Sequence, residues 1–204
     1  MSFDVMKIVD SMQKPTSEKP SSAAIKEIEV FFDGCGYRRD IPELFDLLCR
    51  LGASEVEHTS KRGLFLRGDP GIGKTLGVKL LAASFGWVML HVSEIVGFYK
   101  RHPCYEEWEG YCRALELGVT PRTMVIDDLG VEDFPMNDYG TPCNPLSELL
   151  DIRYRRSFSR DGVRTVITSN ITDSEIKRRY GFRISDRLNE MCPFATVKGD
   201  SLRR

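Results

Sequence analysis

A glycine-rich turn, Gly68-Asp69-Pro70-Gly71-Ile72-Gly73-Lys74-Thr75, ends in a lysine and a threonine. That order of residue types suits one task, the capture of a polyphosphate. Backbone N–H groups wrap the anion, Gly71 and Gly73 let the main chain approach without side-chain clash, and the helix that follows points its positive end at the charge. Lys74 is then placed for the β- and γ-phosphates and Thr75 for a magnesium ion, so Mg-ATP is the expected ligand.

Met124-Val125-Ile126-Asp127-Asp128 is an apolar run ending in two acids. If the run is a strand, both acids sit at the carboxyl edge of a parallel sheet, where ligands of open α/β folds bind. Asp127 is expected in the magnesium shell and Asp128 beside the attacking water. Val166-Ile167-Thr168-Ser169-Asn170 repeats the pattern with an amide at its end. Asn170 is placed either to reach the same water or γ-phosphate, or to close a turn.

These residues need strands that end together and helices that begin there. Residues 63–66 read as a strand running into the glycine turn, 74–85 as a helix, 87–92 as a second strand, 93–100 as a helix capped by Ser93, and 105–117 as a further helix. A third strand is expected at 123–126, a helix from Asn144 and Pro145 to about Phe158, and strands at 164–168 and 194–198. Such alternation predicts an α/β fold, a P-loop NTPase with a mainly parallel sheet sandwiched by helices. Ahead of it, residues 23–32 and 42–51 carry apolar residues at helical spacing and predict a short helical extension. Its Phe31, Phe32, Leu44 and Phe45 either contact a partner or pack on the core. Residues 11–22 are polar with two prolines and read as a linker after a ten-residue head, so 1–22 are a flexible segment and linker and 23–204 one domain.

The 204 residues are 41% hydrophobic and 29% charged, which supplies a core and excludes a wholly disordered chain. No apolar run nears the length of a membrane span and the first residues lack a signal-peptide pattern, so a cytoplasmic protein with no membrane partner is expected. Six cysteines show no Cys-x-x-Cys spacing, and the nearest metal set, His102, Cys104 and Cys112, matches no recognised ligand spacing. The net charge of −1 conceals an asymmetry, because residues 151–204 carry eleven arginines and two lysines against seven acids. A basic stretch of that kind either meets phosphates or forms a solvated helix face.

Five stretches taken together resemble the AAA+ ATPases, and among them the DnaC/IstB family of helicase loaders and transposition helpers. They are Gly68 to Thr75, Val125-Ile126-Asp127-Asp128-Leu129-Gly130, Thr168-Ser169-Asn170, Tyr180-Gly181-Phe182-Arg183-Ile184-Ser185-Asp186-Arg187-Leu188 and Gly199-Asp200-Ser201-Leu202-Arg203, spread over residues 60–204. The resemblance implies an ATPase stimulated by DNA and by self-association through the nucleotide site. It makes Asn170 sensor 1, Arg187 the arginine finger offered to a neighbouring subunit with Arg183 as the alternative, and Arg203 the sensor 2 residue on the chain's own nucleotide. An arginine supplied across an interface neutralises transition-state charge and ties hydrolysis to assembly.

The family also holds single-stranded DNA along a spiral. Here the matching helix carries Phe98, Tyr99, Lys100 and Arg101, whose rings are equally suited to stacking and to core packing. The implied role is to load a replicative helicase. Helping a transposase, acting as a nucleotide-gated scaffold with negligible turnover, and phosphorylating a small molecule are the alternatives.

Overall fold

The computed structural model describes residues 19–59, 62–101, 105–116, 122–138, 140–158 and 163–203. The expected linker up to residue 18, His102, Cys104 and Arg204 lie outside them. Two helices lead, α1 (Ser22–Gly34) and α2 (Pro42–Val56). The Ser21 hydroxyl caps α1 by accepting from the Ala24 N–H at 3.2 Å, and Pro42 opens α2, where a missing N–H costs nothing. Then follow β1 (Leu64–Gly68), α3 (Lys74–Phe85), β2 (Val88–His91), α4 (Val92–Arg101), α5 (Tyr105–Glu116), β3 (Thr123–Leu129), β4 (Asn137–Asp138) and β5 (Thr141–Pro142). The chain continues through α6 (Pro145–Ser157), β6 (Arg164–Ser169), α7 (Asp173–Met191) and β7 (Phe194–Val197).

Five strands form a parallel sheet in the order β2-β3-β6-β1-β7, and β4 pairs with β5 as a short antiparallel ribbon. Strand alternation sorts their side chains into two cores. Phe65, Met124, Ile126 and Ile167 join α4 to α7 on one face, and Leu64, Leu66, Val125 and Val166 join α1, α2 and α3 on the other. Phe32, Leu44 and Phe45 are buried in that second core, so the leading helices pack on the sheet, and of the four residues weighed as a contact only Phe31 stays half-exposed.

α2 is tied to the sheet by a buried cation. Arg164 is 2% exposed, pairs with Glu55, and donates to Ser54 Oγ at 3.0 Å and to the Arg62 carbonyl at 3.2 Å. Removing Glu55 strands that guanidinium, and breaking such a pair costs about 3 kcal/mol. Glu55→Ala is therefore expected to lower the melting temperature by about 8 °C, with Glu55→Gln losing less because it keeps an acceptor. Equal melting of Glu55→Ala and wild type would show that water reaches Arg164.

Several elements differ from the sequence reading, the unexpected β4–β5 ribbon among them. β3 runs on through Asp127, Asp128 and Leu129, because Leu129 regains pairing with Ser169 after a register shift. Ser93 does not cap α4. The helix starts at Val92, where the His91 N–H donates to the Glu94 carboxylate at 2.8 Å and the Ser93 N–H donates to His91 Nδ1 at 3.1 Å. α7 was not expected as a helix, since Gly181 interrupts its pattern; it is a kinked pair of segments meeting at that glycine, with φ 83° and ψ 162°. Thr172 and Glu175 close its N-terminus as a reciprocal capping box.

Candidate functional site

The glycine loop follows β1 and opens α3, with Gly71 and Gly73 at φ 82° and 98°, the left-handed region that favours glycine. It is held from two sides. The Tyr37 hydroxyl donates to the Gly73 carbonyl at 3.2 Å, while from the other side the Leu202 N–H donates to the Gly71 carbonyl at 3.0 Å and the Gly199 N–H to the Asp69 carboxylate at 3.2 Å. A Cβ on Gly71 would lie 2.2 Å from Ser201 Oγ, so no side chain fits between loop and tail. Ile72 anchors the loop in the core, and Asp69 and Pro70 remain exposed.

Lys74 is 5% exposed, and its Nζ donates to the carbonyls of Gly68 and Asp69 at 2.8 Å each and to Asn170 Oδ1 at 2.7 Å. Burial lowers its pKa, Asp128, Asp69 and Asp127 oppose that, and the Arg203 charge adds to the lowering. Asn170 thus reaches the loop because β6 lies between β1 and β3.

On β3, Asp127 is 3% exposed and its Oδ1 accepts from Thr75 Oγ1 at 3.0 Å and from Thr168 Oγ1 at 2.6 Å. Adjacent residues of a regular strand point to opposite faces. Here the register shift and a φ of 57° at Asp128 turn its side chain back beside Asp127. The Asp128 N–H donates to Thr168 Oγ1 at 2.9 Å, which holds the turn.

His91 is the site residue that sequence reading missed. It pairs in register with Asp127 at the end of β2, and its Nε2 lies 3.5 Å from Asp128 Oδ2. Nδ1 accepts from the Ser93 N–H, which leaves the proton on Nε2 and aims it at the carboxylate. No motif marks it; the signal is strand register alone. Ligand atoms of His91, Asp127 and Asp128 all lie within 4.8 Å of one another.

These groups fit a magnesium-bound nucleoside triphosphate. The left-handed glycines bend the loop into the start of α3, whose first N–H groups lack helical partners, a buried ammonium supplies charge, and the Thr75 hydroxyl and Asp127 carboxylate already converge. Magnesium takes oxygen donors of this type.

The arginines divide. Arg203 belongs to the tail docked on the loop, whereas Arg187 pairs with Asp151 and lies 4.8 Å above the Tyr154 ring, on the α6 side of α7. Arg183 is exposed and lines a cleft with Arg113, Glu148 and Asp151. The rings of Phe98 and Tyr99 pack on Trp108 at 6.4 and 5.4 Å, which commits them to the core and leaves Lys100 as an exposed cation on α4, whose last residue is Arg101. Cys112 is buried in the same core.

No family model matches the chain, and no curated protein matches its sequence. Among solved structures it is similar to a protein of Streptococcus pyogenes serotype M3 whose provisional description is primosome component. The two share 18% identity at a TM-score of 0.52, over 86% of this chain and 81% of that one. The likeness is one of fold, and with the glycine loop it makes the architecture that of a P-loop NTPase. Among the described residues, no helix is long and apolar enough to cross a membrane.

Proposed function

We propose that the chain binds and hydrolyses ATP as an AAA+ protein, assembling on single-stranded DNA to load a replicative helicase. The observation that carries this reading is the convergence of Lys74 on Asn170 and of Thr75 on Asp127, with Asp128 turned in beside them. The solved neighbour's description as a primosome component supports the replication role.

Magnesium, bound with the nucleotide, supplies charge neutralisation at the β- and γ-phosphates. The protein does the rest. Loop N–H groups and Lys74 hold the phosphates, and Thr75 with Asp127 fixes where the metal sits. Asp128 orients the attacking water and accepts its proton, Asn170 hydrogen-bonds the γ-phosphate, and His91 steadies the Asp128 carboxylate. A cleft lined by Ile41, Pro42, Thr196, Lys198 and Leu202 receives the base. Arg203 meets the chain's own phosphates, and Arg187 reaches a neighbour's.

One observation favours a second reading, a nucleotide-gated scaffold. Asp128 is a short acid whose carboxylate lies 3.5 Å from His91 Nε2, a contact that competes with an attacking water. Steady-state hydrolysis against protein concentration, with and without single-stranded DNA, separates the two. Turnover per protomer is expected to climb with both; a negligible rate at every concentration, with ATP bound, would leave the scaffold.

A further inference from the structure

Aromatic rings and cations that are not spent on the core meet on one surface, formed by the first half of α7 and the loop after β3. Phe182, next to the break at Gly181, is 72% exposed, and Phe134 is 38% exposed. Lys177 Nζ lies 5.8 Å from the Phe182 ring centroid, and the guanidinium carbons of Arg178 and Arg179 lie 5.4 and 5.6 Å from that of Phe134. Lys177, over one ring, and Arg178, over the other, are consecutive on α7.

Of the nearby acids, the exposed Asp133 beside Phe134 is the exception and the others are already engaged. Asp173 pairs with Arg67 at 2.6 Å, Glu175 accepts from the Thr172 N–H at 2.9 Å, and Glu132 takes the Tyr180 hydroxyl and lies 3.9 Å from Arg179. Lys177 and Arg178 form no ion pair among the described residues, and Arg178 acts on the Glu175 carboxylate only at longer range. The patch therefore sets two cations without an ion pair beside two exposed rings.

We propose that this surface binds single-stranded nucleic acid, with phosphates on Lys177 and Arg178 and unpaired bases stacked on Phe134 and Phe182. Alternating cations and rings are the means by which single strands are held without sequence preference. A duplex offers no free base faces to those rings. Lysine is depleted from protein–protein interfaces, whose centres are apolar, so a protein partner fits less well. The location differs from α4, where the rings are buried. The inference rests on the reading that the protein acts on single-stranded DNA, and it assigns the surface.

The test is fluorescence anisotropy of labelled oligothymidine with full-length wild type, Phe182→Ala, Phe134→Ala and Lys177→Gln/Arg178→Gln. ATP binding and sedimentation are measured in parallel. Each ring variant is expected to bind about tenfold more weakly, and the double charge variant to flatten the salt dependence by about two phosphate contacts, with ATP affinity and sedimentation unchanged. Wild-type affinity in all variants would overturn the assignment while leaving a DNA-binding protein. Variants that keep DNA affinity but sediment as smaller species would make the patch a self-interface. No binding by wild type would overturn both the assignment and the DNA part of the proposed function.

Discussion

Lys74→Ala is expected to lower ATP turnover by about 10²–10³-fold and to abolish the rise in melting temperature that saturating Mg-ATP gives wild type. The side chain donates to two loop carbonyls and to Asn170. If the nucleotide binds as proposed, the ammonium exchanges these bonds for phosphate oxygens and frees Asn170 to meet the γ-phosphate. Stability in the absence of nucleotide should hardly move. Burial lowers the folded-state pKa, so the folded chain carries the ammonium at a cost, and that cost fades as pH rises through the folded value. Lys74→Ala is accordingly expected to unfold within about 1 kcal/mol of wild type. A variant that still gains thermal stability from Mg-ATP would show that the loop is not the phosphate cradle.

Arg187→Ala is expected to lose about 10³-fold in turnover at protein concentrations where wild type is assembled, with ATP affinity within about twofold. The guanidinium is held by Asp151 and the Tyr154 ring of its own chain, so acting on a neighbour requires exchanging the Asp151 carboxylate for phosphate. Asp151→Asn weakens the resting pair and should bring turnover on at lower protein concentration. Arg183→Ala decides between the two candidate fingers. If Arg183→Ala loses the rate and Arg187→Ala keeps it, the pair with Asp151 is structural.

The parts of the fold that were legible in the sequence are those with local signals. Gly73 and Lys74 mark the start of α3, and Asn144 with Pro145 marks α6, where the Asn144 carboxamide oxygen accepts from the Ser147 N–H at 3.1 Å. α7 was hidden because Gly181 and a run of charges dilute the spacing of Ile176, Tyr180, Ile184 and Leu188, which only the buried face reveals. In the site, Lys74, Thr75, Asp127 and Asn170 were legible because their types and strand-end positions state a chemistry. His91 was not, since its role depends on β2 pairing with β3 in one particular register. Nor could the sequence show that Asp127 and Asp128 share a side of the strand, which depends on a long-range irregularity against β6.

The place of β1 between β6 and β7 bears on how the chain acquires its shape. Leu64 pairs with Val166 and Phe65 with Phe194, so both neighbours of the first strand arrive from the last third of the sequence. During synthesis β1 emerges early and waits, an apolar strand with two open edges, while the helices before and after it can already form. Such non-local pairing slows folding and exposes the nascent chain to aggregation. The glycine loop, which begins where β1 ends, is therefore expected to be among the last features to mature, so that on the proposed function a partly made chain would not yet bind ATP.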